Sequence, residues 1–431
     1  MTEDLLILGA GIAGLGAAAA AREAGISCLV IEAAPQPGGL LDSFEIDGYR
    51  FDNAAHLSFT AEPEALALFN RTPSLTHDAV CYCWDHGKWL RHPVQNNLFP
   101  LPVDERITLI EGLVAAPSGP ISNYHEWLIQ QYGLPIASRW PLVYTEKYWS
   151  VPAASLGTEW IGQRMRKAAL DEVLRGALSD TPPQTYYIKQ MRYPMQGGYR
   201  AFLDPLIKSA DIRCNSTVRM VDPMRRTVCL NDGSSLSYRW LISTLPLPSL
   251  IGMIPQIPAP IRADSASLFA TTVDLVSIAL TRPPTTPSLW FYVYDRDILA
   301  ARIHVPSWKS ADNAPAGCGS LQFEIYASER NPMNLSPEIL IENSLNAMQR
   351  MGLADLADVA FTHHKHLPWG NVVFDLGMEE RRDRVRAFVS QQGIALAGRF
   401  GEWGYLWSDQ ALLSGRRAVR ALLAAAGATD R

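Results

Sequence analysis

Gly9, Gly11 and Gly14 stand in G-x-G-x-x-G spacing near the start of the chain, and Glu32 follows about 20 residues further on. Glycines so placed bind an anion with backbone alone. Gly9 permits a tight turn, Gly11 lets the main chain approach a pyrophosphate, and Gly14 lets the following helix lie close on its sheet. The helix start at Ile12 and Ala13 then offers unpaired N–H groups and the positive end of its dipole. A carboxylate at Glu32 suits the hydroxyls of an adenosine ribose and disfavours a 2′-phosphate. Far downstream, Trp290 and Tyr292 alternate on a predicted strand, which puts both side chains on one face.

The elements needed to hold these groups are readable around them. Leu5 to Leu8 is an apolar strand, Leu15 to Glu23 an Ala-rich helix closed by Gly25, and Cys28 to Ile31 a second strand ending at Glu32. Pro35 to Leu41 reads as a turn-rich loop and Ser43 to Asp52 as a hairpin around Asp47-Gly48. A helical stretch is predicted from about Val103 to Arg175, broken near Pro117 and Pro152. Strands are predicted at Ser216 to Val221, Thr227 to Leu230, Trp240 to Ser243, Phe269 to Ala279, Trp290 to Tyr294, Ala301 to Val305, Ser320 to Tyr326 and Ile394 to Ala397. An Ala/Leu-rich helix closes the chain at about Ala425. Pieces of the dinucleotide-binding sheet thus lie at both ends and in the middle, so that domain is expected to be discontinuous.

The 431 residues, 48% apolar and 19% charged, describe a chain able to build two or three sizeable cores. A net charge of -5 gives no broad attraction for nucleic acid or an anionic membrane, so any anionic ligand must be held by a few placed cations. Six scattered cysteines without C-x-x-C spacing point to neither zinc nor a disulfide framework. No apolar run has the length of a membrane span and no signal peptide is evident, so the cytoplasm is the expected location. The His363-His364-Lys365-His366 cluster lacks a cysteine or well-spaced carboxylate and reads as a solvated strand end rather than a metal site, and Arg225-Arg226 reads as solvent-facing beside a turn.

Further motifs resemble those of the UDP-galactopyranose mutase family, within the wider amine-oxidase-like flavoproteins. The wider group is matched by Gly9 to Glu32, Pro37-Gly38-Gly39-Leu40, Phe51-Asp52 through His56, and Gly398-Arg399-Phe400-Gly401. The mutase family is matched by Pro93-Val94-Gln95-Asn96-Asn97, Lys147-Tyr148-Trp149, Trp160-Ile161-Gly162-Gln163-Arg164, Trp290-Phe291-Tyr292 with Arg302, and Trp403-Gly404-Tyr405. The resemblance implies an α/β fold with a discontinuous Rossmann-like FAD-binding domain (1–97, 188–245 and 376–431), an inserted helical domain (98–187) and an antiparallel β-sheet substrate domain (246–375). It also implies an FAD-dependent mutase that interconverts a nucleoside-diphosphate hexopyranose and hexofuranose, with N5 of the reduced flavin attacking the anomeric carbon. Arg164 and Arg302 match the arginines that grip the diphosphate, where a guanidinium fork suits two phosphate oxygens at once. His56 is the third catalytic candidate, through a backbone carbonyl at its turn that meets flavin N5.

The implied substrate-binding set is Gln95, Thr145, Trp149, Trp290, Tyr292, Asn371 and Tyr405. The implied cofactor-binding set is Gly9, Gly11, Ile12, Ala13, Gly14, Glu32, Gly38, Gly39, Leu40, Leu41, Ala55, His56, Val218, Gly398, Arg399, Tyr405, Asp409 and Gln410. Arg399 is expected near the flavin pyrophosphate, and Asp409 and Gln410 near the ribityl chain or ring edge. No second G-x-G-x-x-G unit is present, so reducing equivalents are expected from free NAD(P)H or a partner reductase.

Departures from the family concentrate away from the flavin segments. Ala54-Ala55 replaces a glycine pair before His56. His92-Pro93-Val94 replaces an aromatic-rich run, Thr145 stands where relatives carry Asn, and Asn371 stands where a tyrosine is expected. Gln196-Gly197-Gly198-Tyr199-Arg200 replaces a glycine-rich segment. They point to a nucleotide or sugar other than UDP-galactose, with guanine a candidate base. The rival reading is an FAD-dependent oxidoreductase of the amine-oxidase or protoporphyrinogen-oxidase type, which needs no pair of phosphate-gripping arginines. A non-enzymatic flavin-binding protein is the third.

Overall fold

Leu5 to Leu8 are buried on both faces, and a strand without a polar side has to lie inside a covered parallel sheet. The computed structural model, which describes residues 2–162, 165, 167, 169–181 and 188–429, puts it there. Strand Thr2–Leu8 runs parallel between Ser235–Ser243 and Cys28–Ile31, with Ile212–Arg213 beyond the latter. Ile394–Leu396 joins the end of Ser235–Ser243 in parallel, and Val218–Asp222 and Thr227–Leu230 extend the other edge antiparallel. One seven-stranded sheet is therefore assembled from three distant stretches of chain.

Helix Ile12–Glu23 covers this sheet and is covered in turn by the last helix, Ser408–Thr429. Their backbones nearly touch because the contact residues are the smallest available. A Cβ on Gly415 would fall 1.9 Å from the Ala13 carbonyl oxygen, and one on Gly16 would fall 2.4 Å from that of Leu412. The C-terminal helix thus buttresses the glycine turn from behind.

The second seven-stranded sheet is antiparallel except at one junction, in the order Val359–Leu367, Thr271–Leu280, Gly319–Ser328, Arg302–His304, Trp290–Val293, Tyr82–Asp85, Lys88–Arg91. The last two strands come from the N-terminal stretch that the sequence reading grouped with the FAD-binding segments. Strand alternation sorts this sheet into two chemistries. Phe291, Ile303, Phe323 and Ile325 point to one side and pack with Val276 and Ile278 among the apolar residues of helix Pro337–Arg350. Tyr292, Arg302 and Glu324 are direct cross-strand partners on the other side.

The helical insertion comprises Val103–Val114, Tyr124–Arg139, Pro141–Trp149 and Leu170–Leu178, not one stretch with two breaks. Gly133, at φ 73° just before Pro135, kinks the second helix, and Pro141 starts the third. The His363 cluster fills the C-terminal half of the edge strand Val359–Leu367, half-buried except for the exposed His366. His364 and His366 turn to the same side and both meet Asp274 Oδ1, at 2.8 and 2.9 Å. Among the described residues no helix is long and apolar enough to cross a membrane.

Because no atom fits between Gly415 and Ala13, Gly415→Ala should lower stability by about 1–3 kcal/mol through forced separation of the two helices. An unchanged denaturant midpoint in that variant would show that the helices are free to part.

Candidate active site

The first half of the site is a backbone cradle. Gly9 turns the chain at φ +97°, and a Cβ on Gly14 would strike the Gly9 carbonyl oxygen at 1.9 Å. Around Gly11, by contrast, a Cβ would meet nothing within 4 Å, so the main chain is open to an approaching group. Gly38 bridges to Gly11, with Gly39, Leu40 and Leu41 in the short turn beyond. Helix Ile12–Glu23 begins here without a side-chain cap, so its first N–H groups, on Ile12, Ala13 and Gly14, face the opening. Glu32 is oriented by two backbone donors, Ala10 N–H to Oε2 at 2.7 Å and Ala34 N–H to Oε1 at 2.8 Å. Val218 follows the segment whose Ser216 N–H bonds the Glu32 carbonyl. Gly398 packs against Ala13, and Asp409 and Gln410 start the last helix, where Gln410 accepts the Trp407 N–H. This arrangement fits a dinucleotide by the shape of its backbone and the chemistry of its donors.

The second half is laid on the polar face of the antiparallel sheet. Tyr144 and Tyr148, four apart on helix Pro141–Trp149, stack at 5.3 Å and descend onto that face. Tyr144 meets Tyr292 edge-on at 5.1 Å, and Tyr148 meets Tyr326 at 4.8 Å. The helix is pinned there by Lys147, whose Nζ donates to the carbonyls of Val293 and Asp295 at 2.9 and 3.0 Å. Burial brings that ammonium down to about 7. It pushes the phenols of Tyr144, Tyr148, Tyr292 and Tyr326 above their usual range, so all four stay protonated and able to donate.

Arg302 sits among these phenols, held by the fully buried Glu324. Its Nε donates to Oε2 at 2.9 Å and its Nη2 lies 2.7 Å from the same oxygen. One edge of the guanidinium is thus spent on Glu324, and the Nη1 end lies outside this pairing. Burial opposes both charges, but each outweighs it for the other: Arg302 is more basic than usual and the Glu324 carboxyl lies well below the usual range.

The cradle and the sheet meet at Ala54-Ala55-His56. Leu40, Ala54, Tyr144 and Tyr148 all pack against one buried cluster that includes Val273, Leu275 and Tyr326. The His56 imidazole, pushed down to about 4 by burial, is neutral and lies 3.2 Å from the Ala54 carbonyl.

Most of the remaining candidates gather at one end. Asn371 Oδ1 accepts from Tyr148 Oη at 3.3 Å and from Arg399 Nη1 at 3.4 Å, and Arg399 Nε donates to the Leu406 carbonyl. Arg399 thus faces Asn371 and, at 5.6 Å, the ring of Tyr405. Tyr405 and Trp149 contact each other and Trp160 in a largely buried aromatic group. Thr145 is buried with its hydroxyl bonded to the Pro141 carbonyl, and so braces the helix. Trp290 is buried beside Cys81 and Leu289. Gln95 lies in the short turn after the cis bond His92–Pro93, where Asn97 bonds the Pro93 carbonyl. Arg164 and Gln163 lie outside the described residues. A recess of about 460 Å³ lined by Ser150, Phe269, Arg330 and Asp375 is a separate place whose arginine is already paired, Arg330 to Asp375 at 3.0 Å.

Fold and cradle together define a dinucleotide-binding α/β protein with a second, antiparallel sheet. Residues 7–72 match the family described as NAD(P)-binding Rossmann-like domain. The whole chain has the fold of a reduced UDP-galactopyranose mutase, with a TM-score of 0.92 and 24% identity over 98% of this chain and 96% of that one. More distant is a protein from Exiguobacterium sp. 255-15 described as a candidate protoporphyrinogen oxidase (TM-score 0.73, 16% identity, covering 98% and 99%). A putrescine oxidase double mutant follows (0.69, 19% identity, 98% and 99%).

Glu324, Tyr144, Tyr326 and Lys309 escaped the sequence reading. A signal existed for Glu324, a lone acid within the apolar run Ser320 to Tyr326, since a carboxylate rarely goes inside without a partner. Lys309 is likewise fully buried, 2.9 Å from Asp52, which also accepts from Tyr193 Oη and Tyr199 N–H. Burial opposes ionisation of Asp52, but the Lys309 charge outweighs it and holds the carboxyl at about 2, against an ordinary 3.8. Its folded value being depressed, Asp52 contributes stability that is complete above about pH 5 and lost as pH falls through 2. Lys309→Met alone should cost ~3–5 kcal/mol by stranding a buried carboxylate. In acid titrations of denaturant stability, Asp52→Asn/Lys309→Met should lose less between pH 5 and 2 than the parent, and equal losses would remove Asp52 from the acid limb.

Proposed function

We propose that this chain is an FAD-dependent mutase that interconverts the pyranose and furanose forms of a nucleoside-diphosphate hexose. The observation that carries the reading is the row Tyr292, Arg302 and Glu324 with the phenols of Tyr144, Tyr148 and Tyr326, which meets the dinucleotide cradle at Ala54-His56. Cation and neutral O–H donors together suit a diphosphate, and an amine or an apolar porphyrinogen has no use for them. The mutase whose fold the chain shares is named for such a substrate.

Reduced FAD in the cradle would supply a nucleophilic N5 to the anomeric carbon. The protein's own part is positional and electrostatic. Gly11 and the helix start at Ile12 receive the cofactor pyrophosphate, and Glu32 receives its adenosine ribose. Arg302, through its Nη1 end, holds the diphosphate as it takes on charge in leaving, and Arg164 is the proposed second grip. The protonated phenols of Tyr144 and Tyr292 donate to the same oxygens, those of Tyr148 and Tyr326 being committed to Asn371 and Glu324, and the stacked Tyr144 and Tyr148 keep water away from the reacting carbon. His56, neutral, steadies the Ala54 carbonyl at the cofactor's edge. Reduction would come from NAD(P)H or a reductase, and the soluble nucleotide sugar requires neither membrane nor nucleic acid. A cytoplasmic setting is part of this proposal.

Dithionite-reduced protein incubated with UDP- and GDP-hexoses should yield furanose product detectable by NMR with no net flavin oxidation. Stoichiometric flavin oxidation with an oxidised product would instead select the oxidoreductase reading. Arg302→Lys keeps a charge for Glu324 but loses the fork, and should lower kcat/KM by about 100-fold while FAD stays bound. Arg164→Ala should do the same, and full activity in either variant would remove that arginine from the grip.

The proposed change of base rests on the departures at His92-Pro93-Val94, Thr145, Asn371 and Gln196 to Arg200, of which His92 lies with its ring 5.1 Å from that of Tyr292. In competition binding, GDP should displace the nucleotide sugar at lower concentration than UDP. UDP binding as tightly as GDP ends the guanine proposal.

A further inference from the structure

We propose that Asp274, His364 and His366 form a binding site for a divalent transition-metal ion of the zinc type, on the face of the second sheet opposite Arg302 and Glu324. The sequence offers the His363-His364-Lys365-His366 run no well-spaced carboxylate, but the fold supplies one from 90 positions away. Strand Val359–Leu367 lies antiparallel beside Thr271–Leu280, with His366 directly opposite Asp274 and His364 opposite Val276. Residues two apart on a strand share a face, so both imidazoles stand over the one carboxylate. His364 Nε2 lies 2.8 Å and His366 Nδ1 2.9 Å from the same oxygen, Oδ1. Among the described residues nothing donates to Oδ2.

What sets this acid apart is the charge that faces it. Asp274 is 7% exposed. Asp52, Glu324, Asp85 and Asp295, likewise buried, each lie against a lysine or an arginine, a permanent cation. Asp274 has no such partner among the described residues, since its two pairs are with His364 and His366, which carry charge only when protonated. Lys365, between them in sequence, turns to the other face and lies 4.3 Å over the Phe44 ring. A carboxylate withdrawn from water and met by neutral rings is short of a cation. Glu338, at the start of helix Pro337–Arg350, adds a second negative group on this side, its carboxyl held below the usual range by the Ser336 hydroxyl first and also by charge on His364.

Two imidazoles and one carboxylate are the donor set of a borderline ion such as Zn²⁺, whereas Mg²⁺ and Ca²⁺ take oxygen ligands. To ligate, each ring nitrogen now facing Oδ1 must present its lone pair, so its proton moves to the other ring nitrogen or, from an imidazolium, to solvent. Metal and proton therefore compete for the site. As placed, the two nitrogens flank Oδ1 rather than converge, and among the described residues only Asp85, His86 and Asp295 have ligand atoms all within 4.8 Å of one another. Those acids already face arginines, however, and convergence at Asp274 needs only the half-exposed His366 ring to turn, an ordinary motion for such a side chain. Water completes the coordination from the solvent side. Because its ligands come from two strands, the ion binds only where the strands are paired, and so holds Val359–Leu367 on the sheet.

The test uses FAD-loaded full-length protein, stripped of metal with a chelator and titrated calorimetrically with Zn²⁺, Mg²⁺ and Ca²⁺. One Zn²⁺ should bind per chain, and neither Mg²⁺ nor Ca²⁺ should compete with it. His364→Ala, His366→Gln and Asp274→Asn should each weaken Zn²⁺ binding by about tenfold or more. His366→Gln changes a half-exposed side chain, so it serves if the buried change at Asp274 prevents folding. His363→Ala, on the opposite face, and His86→Ala, at the other cluster, should bind Zn²⁺ as the parent does. With free Zn²⁺ at about a hundred times its dissociation constant, the parent's ratio of folded to unfolded chains should rise about a hundredfold, read as a higher denaturant midpoint. His366→Gln should show no such rise. A parent that binds no Zn²⁺ or whose midpoint ignores it, full affinity in any of the three ligand variants, or loss of affinity in either control overturns the proposal.

Discussion

A carboxylate shut away from water must be met by donors, and four buried acids among the described residues, Asp52, Glu324, Asp85 and Asp295, are met by groups from other parts of the sequence. Asp52 takes Lys309, Glu324 takes Arg302 and the Ala55 N–H, and Asp85 takes Arg139 and the Trp140 indole. Asp295, at the end of strand Trp290–Val293, does the same with Arg350, the Trp84 indole and the His86 N–H. Asp85, His86 and Asp295 come close enough together to suggest a cation site, yet their oxygens are already engaged by these donors. Such pairs contribute little net stability relative to apolar packing, but losing one member is costly. Their effect here is to fix register. The N-terminal segment around residues 52 to 86 fits the second sheet in the one arrangement that satisfies every acid.

That constraint explains why the site lies where it does. The glycine turn belongs to the first sheet and the tyrosines and Arg302 to the second, and the two meet at the segment running from Asp52 to His56. Asp52 anchors one end of that segment to Lys309, which follows strand Arg302–His304, and Ala55 anchors the other end to the strand beyond it. Every adjustable part of the chemistry is therefore referenced to three adjacent strands. Helix Pro141–Trp149 is referenced to them as well, through Lys147 and the carbonyls of Val293 and Asp295. A site assembled from rigid elements in this way loses little freedom when a ligand enters.

The parts legible in the sequence were those whose physics is local. Gly9 and Gly14 declare themselves because only glycine tolerates the turn and the close contacts, Gly11 because it leaves the main chain open, and Trp290 and Tyr292 because alternation reveals a shared face, whereas Arg302 was legible only through the family resemblance. The hairpin Ser43 to Asp52 and the strands of the second sheet follow from the same reasoning. What the sequence concealed was pairing at long range. Nothing near Tyr82 or Lys88 shows that these strands dock beside Trp290, and nothing near Lys309 shows that Asp52 lies 257 positions away as its partner. The His363 cluster concealed a pairing of the same kind. Polar residues at alternate positions look solvated until the neighbouring strand is seen to place Asp274 between His364 and His366.

The same scaffold carries oxidases, so the fold cannot choose the reaction and the polar face of the second sheet must. Here the balance of charge is instructive. Arg302 and Glu324 cancel as a pair, which leaves that row nearly neutral before substrate arrives, and the surrounding phenols are uncharged. On the proposed function, a neutral but donor-rich surface would bind a diphosphate weakly enough to release it and grip harder as negative charge develops on the departing oxygen. With an apolar residue in place of Glu324, Arg302 would carry an unbalanced charge into the interior and, on the same proposal, would hold the free nucleotide as firmly as the activated sugar. The proposed part of the buried acid is thus to lower ground-state attraction without removing the donors that would act as the bond to the sugar breaks.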